Sequence, residues 1–146
     1  MYLGYQNGKI KFYTEEPLDQ EFYNLEKVEE TELEYVLDGD EYVLKDEAWE
    51  EKQAQAERER IAMLSLTAAD VERGIYKATD KDFDDVVALV TELQPEGLDI
   101  KALKIELKAN NFYRGNPYVD AVGSLLGFTK EQLDKFFETN DYTKLL

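Results

Sequence analysis

The chain has 146 residues, 43% hydrophobic and 34% charged, with a formal net charge of −16 and neither cysteine nor histidine. That length suits one domain or two small ones, and the missing residue types exclude disulfides, thiolate zinc sites, a cysteine nucleophile and a histidine general base. A field this negative repels nucleic acid and anionic lipid, so neither is expected as a direct partner.

Residues 1–14 read as a β-hairpin. Asn7-Gly8 is a strong two-residue turn signal, because both positions tolerate positive φ. A regular two-residue loop sets Tyr5 opposite Ile10 and Leu3 opposite Phe12. Glu15-Glu16-Pro17 then breaks the strand and leads into a loop through Phe22-Tyr23. Leu25 and Val28 mark a short edge strand in an acidic segment. A second hairpin follows in LEYVLDGDEYVLK. With Asp38-Gly39 as the turn, Tyr35 faces Tyr42 and Leu33 faces Leu44. The alternative turn, Gly39-Asp40, places Asp38 opposite Glu41, a like-charge pair, so the first register is expected. Six of the ten tyrosines precede residue 46, which predicts one aromatic face.

The stretch from Asp46 to Thr67, DEAWEEKQAQAERERIAMLSLT, has no Gly or Pro and is rich in helix formers. Asp46 is placed to cap it, with Glu47, Glu50 and Glu51 at the positive end of the macrodipole. Its middle, residues 50–60, has no apolar stripe, which predicts a solvated linking helix. Apolar residues return at Ile61, Met63, Leu64 and Leu66, where the helix is expected to dock.

The rest is punctuated like a helical domain. Thr67 is placed to cap a helix through Ala78, with Val71 and Ile75 inward. Thr79 or Asp80 starts an amphipathic helix with Phe83, Val86, Val87, Val90 and Leu93 on one stripe, ended by residues 94–97. Residues 99–109 suit either strand or helix, with helix favoured by composition. Asn116 caps a helix with Pro117 in its first position, and Gly127 ends it. Thr129 and Gln132 form a capping box before the stripe Leu133, Phe136 and Phe137. The expected architecture is therefore α+β. It comprises a β-hairpin region (1–46), a charged linking helix (47–66) and an all-helical domain (67–146). The first region holds 4 basic and 13 acidic residues, the most acidic of the three.

Motifs for chemistry are sparse. Asp80–Asp85 resembles the start of a calcium loop, but Asp85 stands where that loop needs Gly and Thr91 where it needs Glu. The carboxylates are better read as first-turn helix residues. There is no phosphate loop, nucleophile elbow or zinc-helix motif, so neither an enzyme nor a cofactor is expected. The most individual segment is Asn110 to Tyr118. Read as a corner, Phe112 and Tyr118 pack inside, Gly115 takes a positive φ and Asn116 caps. Read as an interface, Tyr113 and Arg114 are hot-spot residues. Phe112, Tyr113, Arg114, Tyr118, Tyr35 and Tyr42 are the candidate partner-binding residues.

Several stretches resemble small proteins of phage and prophage tail modules in Gram-positive bacteria. They are ERERIAMLSLT, NNFYRGNPYVDAVGSLLGFT with its continuation KEQLDKFFETND, and, in front, MYLGYQNGKIKFYTEEPLD and DGDEYVLKDEAWEEK. The resemblance implies a non-enzymatic structural or assembly component of a tail or baseplate. Its partners would be other tail proteins or a host protein, and its linking helix or sheet edge would be the route to any homo-oligomer. Its expected place is the virion or the host cytoplasm, since no apolar run reaches the roughly 18 residues of a spanning helix and MYLGYQNGK lacks a signal-peptide pattern. The competing expectation, from charge alone, is an acidic nucleic-acid mimic that inhibits a host defence or DNA-binding protein.

Overall fold

The computed structural model describes residues 1–146 and shows an α+β protein. The chain divides into two compact units, residues 1–56 and 57–146.

In the first unit, strands β1 (Tyr2–Gln6), β2 (Lys9–Thr14) and β3 (Lys27–Glu30) form an antiparallel sheet in the order β2-β1-β3. Asn7 and Gly8 both take positive φ, 56° and 74°, as their turn requires. Tyr5 faces Ile10 as expected, but the ladder then slips by one residue. Beyond the slip Gly4 pairs with Phe12 and Leu3 with Tyr13, not with Phe12. This β-bulge leaves Lys11 over and reassigns faces, because each step of register flips a side chain across the sheet. Tyr13 thereby joins the side of Leu3, while Phe12 lies beside Gly4 and Leu25. Leu3 and Leu25 are the buried hydrophobics of this unit.

Strands β4 (Tyr35–Asp38) and β5 (Glu41–Leu44) form the second hairpin. Its register corrects the expected one: Tyr35 pairs with Leu44, Leu37 with Tyr42 and Asp38 with Glu41. The loop is Gly39-Asp40, with Gly39 at φ 68° in the first loop position, where the type II′ turn wants glycine. Lysines surround this turn, and one of them, Lys52, lies against Asp38 of the like-charge pair. Lys11 reaches the Asp40 carboxylate at 3.1 Å, Lys9 reaches it at 3.5 Å, and Lys52 lies 3.7 Å from Asp38.

Helix α1 (Glu47–Ala62) starts where the Asp46 carboxylate accepts the Trp49 N–H at 2.9 Å, and none of its residues is buried. The division between the two units falls within it. The helix ends earlier than the composition suggested. Ser65–Thr67 is a strand, β6, pairing with β7 (Asn111–Tyr113), so the region from residue 67 is not all-helical. The alternation Leu64-Ser65-Leu66-Thr67 has the period of a strand, and Leu64 and Leu66 pack on the core while Met63 stays exposed.

The remaining helices are α2 (Ala68–Thr79), α3 (Phe83–Leu93), α4 (Ile100–Glu106), α5 (Pro117–Leu125) and α6 (Lys130–Thr139), followed by a 3₁₀ turn at Tyr142–Leu145. The caps at Thr67, Asn116 and Thr129 are those expected. The cap of α3 is Asp82 rather than Thr79 or Asp80. Asp80 instead closes α2 in the left-handed conformation at φ 63°. Residues 100–106 are helical, and Leu103 is completely buried while Ile105 is exposed. Leu93, placed on the inner stripe of α3, is exposed. One core cluster gathers Val71, Ile75, Phe112, Leu133, Phe136, Phe137 and Leu145, and a second gathers Val86, Val90, Leu103 and Val122.

Candidate functional site

The segment from Asn111 to Tyr118 turns out to be a strand followed by a helix cap. Pairing with β6 makes its side chains alternate, so Phe112 is buried and Tyr113 is 53% exposed. Arg114 is only 5% exposed, which corrects its reading as a surface hot spot. Its guanidinium donates through Nε to Asp134 at 2.7 Å, through Nη1 to Asp120 at 2.8 Å and through Nη2 to the Lys130 carbonyl at 3.3 Å. A planar fork serving acceptors in three directions is the task for which arginine is suited. Arg114 is therefore occupied in joining β7 to α5 and α6.

Gly115 does not take a positive φ. Its reason is proximity: a Cβ there would lie 3.0 Å from the Ala62 Cβ and 3.1 Å from the Ala62 carbonyl oxygen, which accepts the Gly115 N–H. Asn116 does cap α5, and its amide also donates to Glu106 at 3.1 Å. Tyr118 is half-buried and lines a shallow groove of about 380 Å³ with Leu98, Asp99, Pro117 and Ala121. Phe112 and Tyr118 also border an apolar space of about 40 Å³ inside the core. That is far below the roughly 300–1,000 Å³ of small-molecule sites. Of this group, Tyr113 is the side chain left for a partner.

In the first unit Tyr35 and Tyr42 do come together, though diagonally rather than face to face. The Tyr13 ring lies 5.5 Å from Tyr35 and 5.9 Å from Tyr42, centroid to centroid, and its hydroxyl donates to the Leu33 carbonyl. Both tyrosines are half-buried by this stacking. The larger exposed apolar groups of this unit are outside the partner-binding candidates: Phe22 at 78%, Leu37 at 62% and Leu33, expected opposite Leu44, at 57%. Phe22 is held in place by a structured turn. The Asp19 carboxylate accepts the N–H groups of Glu21 and Phe22, both at 3.1 Å, and Asn24 takes a φ of 55°. Phe22 packs edge-on against Tyr23, and Tyr23 against Phe12. Asp19 at the start and Asn24 at the end are turn residues, the available signal that this loop was ordered.

Electrostatics on this unit stiffen the sheets. The Tyr5 hydroxyl donates to Glu29 at 2.9 Å, Lys27 bridges to Glu29 at 2.8 Å, and the Lys27 ammonium sits 4.3 Å from the Tyr5 ring centroid. Hydrogen bonds from Lys27 and then Tyr5 hold the Glu29 carboxyl below its ordinary value. Desolvation, followed by the bond to Glu29, raises the Tyr5 phenol. Lys11, helped by Lys9, likewise lowers Asp40. The Glu26 carboxylate accepts the N–H groups of Asn7 and Gly8, bracing the first turn. In the second unit Asp82 and Asp85 form a reciprocal capping box at the start of α3. No group of three or more carboxylates is gathered as metal ligands are.

Comparison with protein families, with curated proteins and with solved structures returns no match for this chain. No helix is long and apolar enough to cross a membrane.

Proposed function

We propose that this chain is a non-enzymatic component of a phage or prophage tail or baseplate, structural or assembly-related, that acts through protein–protein contacts. The observation that carries the binding part is the imbalance of the first unit. It buries two large hydrophobics, Leu3 and Leu25, while Phe22, Leu37 and Leu33 stand in solvent on hydrogen-bonded backbone. Rigid exposed aromatic and aliphatic groups are the usual anchors of an interface, because little entropy is lost when they dock. The phage setting rests on the resemblance of the segments quoted above, and it places the protein in the virion or the host cytoplasm.

The competing reading is the acidic mimic of nucleic acid. Many carboxylates are matched locally, Asp40 by Lys9 and Lys11, Glu29 by Lys27, Glu57 and Glu138 by Arg60. Such local pairing favours the structural reading over a continuous row of phosphate-like charge. The test is affinity capture of the tagged protein from infected cells, with the captured proteins identified by mass spectrometry. A tail or baseplate subunit is expected, and Phe22→Ser with Leu37→Ser should weaken its capture by more than about 30-fold, a hot-spot loss of about 2 kcal/mol. Capture of a host DNA-binding protein instead, released by salt and indifferent to those two changes, would reverse the assignment.

A further inference from the structure

Strand β3 is an edge: β1 pairs with it on one side and no strand lies beyond it. The Thr31 N–H donates to the Met1 carbonyl at 2.9 Å, and the pairs Leu3–Glu29 and Tyr5–Lys27 continue from there in steps of two. Alternate residues of an antiparallel strand direct their N–H and C=O groups to opposite sides. Val28 and Glu30 therefore turn theirs outward. One end of this edge is already closed, since Gln20 Nε2 donates to the Glu26 carbonyl at 3.1 Å. The strand is also braced from one face, where Lys27 and Glu29 are tied to Tyr5. A braced edge with outward amides needs little reorganisation to accept another strand.

Charge decides which strand fits. A second copy pairing antiparallel and centred on Val28 would bring Lys27 beside Glu29 but Glu26 beside Glu30. Centred on Glu29 or Glu30, it would set glutamate against itself, and like charges directly opposite are destabilising. A foreign strand with basic residues opposite Glu30 and near Glu32, and an apolar one opposite Val28, meets complementary groups at each step. The first 46 residues, with 4 basic and 13 acidic groups, would draw such a segment in from a distance. We propose that the outer edge of β3 is a strand-addition site for an extended, basic segment of a partner protein. This rests on the protein-binding reading above and deepens it by naming the edge and the chemistry of the occupant.

The test uses the full-length, ¹⁵N-labelled protein and a blocked synthetic hexapeptide, Lys-Thr-Lys-Thr-Val-Thr, at low salt. A control peptide carries glutamate in place of both lysines. The lysine peptide should shift the Val28 and Glu30 amides most and slow their hydrogen exchange, while the control leaves them unmoved. Glu30→Lys, an exposed change that spares the fold, should weaken binding at least tenfold. The proposal is overturned if the lysine peptide does not bind at millimolar concentration, or if its shifts scatter over the acidic surface without protecting Val28. It is also overturned if the free protein dimerises with the Val28 amide already protected. Any of these would remove the β3 site while leaving the capture of a tail subunit, the test of the broader reading, still to succeed or fail by itself.

Discussion

Arg114 Nε donates to Asp134 at 2.7 Å from a position 20 residues earlier in the chain, and the same guanidinium holds Asp120 at 2.8 Å. One buried cation thus fixes the end of β7 against two helices. Removing it leaves two carboxylates facing a site built for positive charge. Loss of one partner of a buried ionic group costs about 3 kcal/mol or more, and the partial exposure of Asp120 and Asp134 puts this case at the low end. Arg114→Leu should therefore lower unfolding free energy in urea by about 3 kcal/mol, and Arg114→Lys should recover little, because an ammonium lacks the planar fork. Tyr113→Ala, next to it but exposed, should change stability by less than about 0.5 kcal/mol. An Arg114→Leu protein as stable as the parent would show that the cluster is not structural.

Gly74 lies against the Phe136 ring so closely that a Cβ there would be 2.6 Å from Cε1. Alanine in a helix is favoured over glycine by about 1 kcal/mol, so an exposed Gly74→Ala would stabilise α2. Here overpacking, typically about 1–3 kcal/mol, works against that gain and falls on fully buried Phe136. The expected net outcome is a lower Tm for Gly74→Ala, partly restored when Phe136→Leu is added. A raised Tm for the single variant would mean that the ring yields freely.

The two units differ sharply in what they bury. Eleven of the thirteen buried hydrophobics belong to residues 57–146, and only Leu3 and Leu25 to residues 1–56. Small units with so little core fold alone only marginally. A fragment of residues 57–146 should melt cooperatively by circular dichroism. A fragment of residues 1–56 should give no cooperative transition without a partner, and a sharp one would refute the imbalance on which the proposed function rests.

Asp70, in the first turn of α2, accepts from Arg73 and is joined to Thr67, and these bonds hold its carboxyl below its ordinary 3.8. A lowered folded-state value contributes stability that is present above the unfolded value and lost as pH falls through the folded one. Asp70→Asn should therefore lower Tm at neutral pH, and the gap from the parent should close well below pH 3.8. The relief of self-repulsion as other carboxylates protonate is common to both proteins and cancels in the difference. A gap that stays constant with pH would assign the loss to packing.

Much of the fold was legible because it rests on local chemistry. The caps at Thr67, Asn116 and Thr129, the Asn7-Gly8 turn and the solvated middle of α1 each depend on residues within one turn of one another. The inner stripe Leu133, Phe136 and Phe137 follows from helical periodicity. Phe112 lies inside, as its corner reading had it and against its place among the partner-binding candidates, and Tyr35 and Tyr42 share a face without being direct partners.

What tertiary structure alone decided was wherever two weak local preferences competed. The second hairpin could turn at Asp38-Gly39 or Gly39-Asp40, and in the latter Lys52, from outside the hairpin, lies beside Asp38 of the like-charge pair. The bulge at Lys11 follows no local turn rule, yet it decides whether Tyr13 or Phe12 joins Leu3. Leu66 sits at the end of a helix-favouring run and became strand because a second short strand, with Phe112 as its direct partner, supplied the hydrogen bonds. Arg114 looked like a surface anchor because arginine usually is one. Only the approach of Asp120 and Asp134 from two other helices allowed its charge to be buried. The sequence by itself determined the α+β class, the first turn and the caps at Thr67, Asn116 and Thr129, since those energies are local. Register, the pairing of β6 with β7 and the burial of charge were settled by partners distant in the chain, whose arrival no local pattern records.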